Sequence, residues 1–238
     1  MKRKQRPVDS RDLIQRDPYL LEIQTRCYRR LLGETRTDRG PVVEVGSGPG
    51  IVDLVDPKVI RIDLEEGGHV DAVADAAELP LRTNSVGSII CKDSLHHISD
   101  IPGFLSECHR VLTRGGNLVV CEPNDGTLAA FVYRFLHREP FCYSDDPWDR
   151  DPRFLESGNQ ALPALLRRYW MNGHPAIVGR FLFEDLGVDL GPSFLLSGGI
   201  FSRTFIPSIV LLHLDQIERR WPMRSSSFAQ YWKLTKST

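Results

Sequence analysis

The stretch VVEVGSGPG, residues 42–50, constrains this chain more than any other feature. An apolar, β-branched run is followed at once by three glycines at alternate positions. Glycine lets a backbone turn sharply and lets a ligand reach main-chain atoms with no Cβ in the way. Set between a strand and the start of a helix, Gly46, Gly48 and Gly50 put a ligand at the carboxyl edge of a sheet, where doubly wound folds bind. Two familiar uses of such a loop fit poorly. No Gly-Lys-Ser/Thr follows, so a phosphate loop would lack its lysine, and GSGPG departs from the dinucleotide fingerprint G-x-G-x-x-G. The helix behind the loop is confined to residues 51–55 by Pro57. A tight turn with a purely structural purpose is the plain alternative.

The neighbouring pattern supports a ligand. Short β-branched runs at residues 42–45, 59–62, 70–73, 86–91 and 118–121 are bounded by turn residues and read as strands. Between the last two, Ile101, Phe104, Leu105, Cys108, Val111 and Leu112 form one apolar helical stripe, with RGGN as its glycine stop. Leu20, Ile23, Cys27 and Leu31 mark an earlier amphipathic helix over residues 19–32. Strands alternating with helices imply βα units and a mostly parallel sheet covered on both faces. Beyond Glu122, residues 128–136, 161–170 and 206–220 read as helices, and 188–196 and 227–234 as strands. The expected organisation is a single domain over residues 1–238: a tail and helix in 1–40, a ligand-binding core in 41–123, and substrate-side insertions with the remaining strands in 124–238.

Composition excludes several classes. Thirty basic against 31 acidic residues leave a net charge of −1, which removes any global attraction to nucleic acid. No apolar run approaches the roughly 20 residues of a membrane-spanning helix. Five cysteines with no C-x-x-C pair argue against a disulfide framework and a zinc site, and fit a reducing cytoplasm. The basic N-terminus has no apolar segment behind it and reads as a solvated tail.

Two carboxylates follow the glycine loop in turn. Asp63 ends the run VIRIDLE, 17 residues after Gly46, where an acid can accept both hydroxyls of a ribose. Asp75 follows the third strand and can accept from an adenine amino group, or simply form an Asx turn. Taken in order, VVEVGSGPG, VIRIDLE, VADAAELPLRTNSVGSIICKDSLHHI and FLSECHRVLTRGGNLVVCEPN resemble the successive motifs of the class I S-adenosylmethionine-dependent methyltransferases that act on small molecules. The resemblance covers residues 42–124, about a third of the chain. It implies a Rossmann-like, doubly wound α/β fold with a mostly parallel seven-stranded sheet, an antiparallel last strand (SFAQYWKL the candidate) and helical insertions near the C-terminus. It also implies S-adenosyl-L-methionine as cofactor. By position, Glu44, Gly46, Ser47, Gly48 and Gly50 would hold the methionine moiety, Asp63 with Leu64 the ribose, and Asp75 with Ala76 the adenine. Lys92 and Asp93 would line the cofactor beside the fourth strand. The family commonly has an acid where NSVGSII has Gly87, and Thr113 and Arg114 replace its lysine and proline; both departures read as structural. A further resemblance to a subset of these proteins runs through LHHI, CEP, FVYRFLHREP and SGGIFSR.

Methyl transfer from a sulfonium is an in-line displacement, so alignment and exclusion of water matter most. A hydroxyl or carboxylate acceptor is expected, and a hydroxyl needs a base. His96, His97, His137 and Glu139 are the catalytic candidates, with Glu122 a further one; His96 and His97 can instead face the core, and His137 can answer a helix dipole. Tyr143 and Trp148, within the polar stretch 141–154, suit a flat or partly cationic acceptor. No close pairing of ligand residues along the chain supports a metal, so none is expected. An N-methyltransferase on a small amine, and a non-catalytic S-adenosylmethionine-binding scaffold, are the alternatives. A short-chain reductase is disfavoured because no tyrosine has a lysine four residues later. A small-molecule substrate, no nucleic acid and no membrane partner complete the expectation; the oligomeric state is not legible.

Overall fold

The computed structural model describes residues 10–150, 157–172, 179–198 and 205–237. The chain opens with two helices, α1 (Ser10–Arg16) and α2 (Pro18–Gly33). Asp17 caps α2, its Oδ1 accepting the N–H groups of Tyr19 and Leu20 at 2.9 and 3.2 Å, and Pro18 occupies the first turn, where its missing N–H costs nothing. Then come β1 (Val42–Val45), β2 (Ile60–Asp63), β3 (Ala72–Val73), β4 (Val86–Lys92), α3 (Ile101–Val111) and β5 (Leu112–Pro123). The remainder comprises α4 (Thr127–Phe135), α5 (Leu162–Met171), β6 (Phe181–Asp189), α6 (Pro192–Ser197), α7 (Ser208–Glu218) and β7 (Ala229–Lys236).

Among the described residues these strands form one seven-stranded sheet in the order β3-β2-β1-β4-β5-β7-β6. The first five are parallel, and β7 runs antiparallel to both β5 and β6. Order reverses between β1 and β4, so the crevice beyond their carboxyl ends is the natural ligand site. Successive strand residues feed opposite layers, as the pleat demands. Ile89, Val120 and Trp232 pack with Phe104, Cys108, Leu166 and Trp170 of α3 and α5. Ile90, Val119 and Tyr231 pack with Ile23, Cys27 and Leu31 of α2 and Ala129 of α4.

The structure corrects two sequence expectations. Residues 188–196 are not one strand: β6 lies earlier, and Gly191-Pro192 starts α6, which Gly198 closes in the left-handed region at φ 76°. RGGN does not stop α3, which ends at Val111; those residues already belong to β5. The glycines instead allow close backbone approach. A Cβ on Gly116 would sit 2.7 Å from the Gly87 carbonyl oxygen, and one on Gly87 would sit 2.5 Å from the Arg36 oxygen. That crowding also explains why no acid stands at position 87.

All five cysteines are free and four are buried, as small core residues are. No helix among the described residues is long and apolar enough to cross a membrane.

Candidate active site

The glycine loop leaves β1 and turns over the carboxyl edge. Gly46 (φ 74°), Gly48 (φ 46°) and Gly50 (φ 64°) all take left-handed backbone angles. Their surroundings differ. A Cβ on Gly46 would strike the Ser94 Cβ at 2.3 Å, and one on Gly50 would strike the His69 Cβ at 2.5 Å, whereas nothing lies within 4 Å of a Cβ on Gly48. Bare main chain at Gly48 therefore faces open space, while its neighbours are locked by packing. Its N–H is donated to Asp63 Oδ2 at 2.7 Å, which ties the loop to the end of β2.

Beneath the loop lies the clearest sign of a missing cationic partner. Glu44 is fully buried, and neither of its carboxylate oxygens makes a hydrogen bond of regular geometry, the Tyr28 hydroxyl being the side-chain donor that pulls on it. Burial pushes its carboxyl up to about 8, against the pull of Tyr28 and Lys92. The Ser47 hydroxyl beside it is also buried and unpartnered. An isolated buried carboxylate is costly unless a cation or hydrogen-bond donor meets it. The ammonium group of an amino-acid headgroup has the charge and the donors to do so, so the residues present fit the methionine end of the cofactor implied by sequence.

The other expected cofactor contacts lie along the same edge. Asp63 Oδ1 accepts the Glu65 N–H at 3.0 Å, Leu64 is exposed, and Asp75 caps a turn by accepting the Ala77 N–H at 2.9 Å next to half-buried Ala76. Lys92 is buried, pairs with Asp93 and lies 5.7 Å from the centre of the Tyr28 ring. Asp93 itself adopts φ 50°, a strained angle for a non-glycine residue.

The catalytic candidates lie close to one another beyond the end of β4. His96 and His97 sit in a short 3-10 turn, Leu95–His97, just after β4, their ring centres 4.2 Å apart. Glu122, at the end of β5 and fully buried, accepts His96 Nδ1–H at 2.6 Å and the N–H groups of Ser94 and Leu95 at 2.8 and 2.7 Å. Donation from Nδ1 leaves His96 Nε2 facing the opposite side, where Glu139 Oε2 stands 3.5 Å away. His97 Nε2 is 3.9 Å from the same oxygen. His137, just beyond α4, accepts the Glu139 N–H at Nδ1, 3.2 Å, and meets the Tyr133 ring edge-on.

Burial disfavours the His96 cation, but Glu122 outweighs it and the imidazole is pushed up to about 9. Burial and the adjoining His96 charge hold His97 below its ordinary value, and burial does the same to His137. Burial raises the Glu139 carboxyl, yet hydrogen bonds from His96 and Gln160 win and bring it to about 2.

Three neighbours that the sequence reading passed over build this geometry. Asn159, fully buried, accepts the N–H groups of Cys142 and Ala161 and donates to the Cys142 carbonyl and Asp145, while its own N–H goes to the His96 carbonyl at 3.0 Å. Gln160 donates its amide to Glu139, and the same nitrogen lies 3.2 Å from His96 Nε2. Gly158, at φ 73°, leaves room for His97, whose Nδ1 would lie 2.6 Å from a Cβ there. The only signal for this trio was a polar NQ pair ahead of an apolar helix.

Tyr143 and Trp148 have different neighbours. The Tyr143 hydroxyl donates to Asp125 at 3.2 Å, with the Arg168 guanidinium 4.7 Å from its ring centre. Trp148 packs edge-on against Tyr169 beside the core. Part of the stretch 141–154 and of SGGIFSR lies outside the described residues.

Comparison with known proteins bears on the domain and its fold. Residues 43–120 match the family model described as "Methyltransferase domain". Over this stretch the chain is similar to the S-adenosylmethionine-dependent methyltransferases. A "Probable S-adenosylmethionine-dependent methyltransferase" of Mycolicibacterium smegmatis is 35% identical over 97 residues, covering 35% of this chain and 38% of that protein. Its namesake from Mycobacterium tuberculosis is 33% identical over 111 residues, 41% of this chain and 40% of that one. The chain thus spans about two fifths of the curated relatives it matches. Among solved structures, a SAM-dependent methyltransferase from Archaeoglobus fulgidus superposes with a TM-score of 0.55 at 14% identity, covering 91% of this chain and 94% of its own. Geranyl diphosphate C-methyltransferase from Streptomyces coelicolor, solved with Mg2+, geranyl diphosphate and S-adenosyl-L-homocysteine, gives 0.51 at 16% identity, covering 96% and 82%. The methyltransferase sheet, with its antiparallel seventh strand, is the fold shared with both.

Proposed function

We propose that this protein transfers the methyl group of S-adenosylmethionine to a hydroxyl or carboxylate oxygen of a small-molecule acceptor. The single observation that carries the reading is Glu44: a buried carboxyl with no hydrogen bond of regular geometry, under a bare main-chain loop, in a methyltransferase-like sheet. When bound, the cofactor supplies a methyl group already activated on a sulfonium. Glu44, Ser47 and the Gly48 main chain would hold its amino-acid end, Asp63 its ribose, and Asp75 with Ala76 its adenine. Lys92 and Asp93 would border it at the end of β4.

The chain's own work is then alignment and proton management. Glu122 fixes His96 from behind, and the partly exposed His97 and Glu139 face outward to receive the acceptor oxygen as a unit. Asn159 and Gln160 hold the HREP turn over that cluster and keep Glu139 in reach. Tyr143, with Asp125 and Arg168, offers a polar ring face for the rest of the acceptor.

The test has two arms. Denaturing the purified protein and weighing released small molecules, with calorimetry against the methyl donor, its demethylated product and NADH, checks the cofactor. Tight uptake of NADH with indifference to the other two would end the proposal. A panel of paired hydroxyl and amine acceptors then checks the transferred position; methylation confined to the amines would replace the oxygen reading with N-methylation. Cofactor uptake with no transfer to any acceptor would point to a scaffold.

A further inference from the structure

We infer that His96, His97 and Glu139 form a binding site for a divalent first-row transition-metal ion, one that leaves an open position for the acceptor's oxygen. The ion's role toward an acceptor rests on the function proposed above; the site itself rests on geometry alone.

The three side chains can each offer one ligand atom, all within 4.8 Å of one another. The His96 Nε2–Glu139 Oε2 and His97 Nε2–Glu139 Oε2 separations are 3.5 and 3.9 Å. An ion held at about 2.0–2.2 Å by each donor spaces adjacent donors by roughly 3.0–3.5 Å, so a small inward shift of His97 closes the set. His97 has the freedom to make it, with 44% of its side chain exposed. Two imidazoles and a carboxylate suit zinc, cobalt, iron or manganese, whereas magnesium and calcium take oxygen ligands.

The supporting shell is what distinguishes this cluster from an accidental one. A metal-bound histidine generally donates its other ring N–H to a carboxylate or carbonyl, which fixes the ring and raises its basicity. Glu122 does this for His96 at 2.6 Å, and is itself pinned by two main-chain N–H groups. Gln160 supplies a second observation. Its amide nitrogen lies against both Glu139 and His96 Nε2, where it takes the place of a cation, while its buried Oε1 has no partner. A half-turn of that amide, which exchanges two atoms of nearly equal size, presents the oxygen to the cluster as a fourth donor. An oxygen in that place is tolerable only with a cation between it and the carboxylate. The same atoms would otherwise be held by a proton on His96 shared between Glu122 and Glu139, and the experiment must separate these two cases.

The full chain, stripped with a chelator, is titrated with Co2+ and followed by visible absorption, then with Zn2+ in competition with a chromophoric chelator. Saturation at one equivalent is expected, with affinity about 10–100-fold weaker in His97→Ala and in Glu139→Ala. His213→Ala, on the exposed face of α7, should bind as the parent does. Absence of uptake, or uptake that both cluster variants retain in full, overturns the inference. Circular dichroism checks the fold of each variant; His97→Gln, at a half-exposed position, replaces His97→Ala should the latter unfold. Calorimetry with S-adenosylmethionine runs in parallel on stripped and loaded protein. Cofactor uptake without metal uptake sinks the metal site alone, while metal uptake without cofactor uptake leaves the site standing and sinks the proposed function.

Discussion

Glu44 is where a single side chain most clearly costs stability. Its carboxyl is raised from an ordinary 4.5 to about 8 in the folded protein. Between those values the folded state keeps a proton that the unfolded chain has released, so stability falls as pH climbs through the window and the full penalty is present above it. Glu44→Gln should therefore raise the melting temperature of the cofactor-free protein at pH 9, by roughly 3–6 °C, and change it little at pH 5. The same variant should weaken S-adenosylmethionine at least about tenfold by calorimetry, because a charge-assisted hydrogen bond is lost. Equal melting shifts at both pH values would show that the carboxylate makes a regular hydrogen bond after all. The glycines make a second residue-scale pair. Gly46→Ala meets Ser94 at 2.3 Å and should cost about 2–3 kcal/mol in a denaturant titration. Gly48→Ala meets nothing, so it should cost only about 1 kcal/mol, from its backbone angle, while cofactor affinity drops.

At the scale of elements, the acceptor side depends on a loop held by few residues. Residues 157–161, just before α5, lie against the turn after β4 through the Asn159 N–H to His96 carbonyl bond, and the Asn159 side chain also holds the main chain at Cys142 and Ala161. Asn159→Ala removes the partners of the half-buried Cys142 N–H and carbonyl and one of the partners of Asp145, which keeps Arg150, and should cost about 1–3 kcal/mol. Hydrogen exchange should quicken over residues 139–146 more than in β4 or β5; uniform quickening across the sheet would contradict a local role. The element errors have the same local origin. Residues 188–196 carry enough apolar residues for a strand, but Gly191-Pro192 and Gly198 bracket a short helix, and that turn chemistry outweighs hydrophobic run length.

Across the whole molecule, the early helices are bound to the late strands by buried charge. Arg26 of α2 grips Asp215 of α7 through both terminal nitrogens, at 2.5 and 2.9 Å, and reaches Asp189 of β6 at 3.4 Å. Arg30 donates to the carbonyls of Leu186 and Val188 and lies 3.9 Å over the Tyr231 ring. Arg26→Met leaves Asp215, 2% exposed, without its bidentate partner and should destabilise the fold by about 3–5 kcal/mol. A chemical unfolding curve with an unchanged midpoint would show that Arg219, 3.2 Å from Asp215, suffices alone.

The residues by themselves determined the strand run from Val42 to Val120 and the glycine loop between strand and short helix, because period and turn chemistry are local properties; the antiparallel sense of the closing strand was implied by the resemblance and is seen only in the assembled sheet. They also located His96, His97, His137 and Glu139 as candidates, through residue type alone. Only the tertiary structure decided which of these act together. Glu122 backs His96 from 26 residues away, and Gln160 reaches it from 64, separations at which no pattern along the chain reports proximity. It also brought His96, His97 and Glu139 together without any regular spacing in sequence, since parallel strands deliver their carboxyl ends to one edge and the turn after α4 places Glu139 beside them. Which polar groups are buried without a hydrogen bond of regular geometry, Glu44 above all, depends on layers packed from both ends of the chain, and burial is a property of the assembled core.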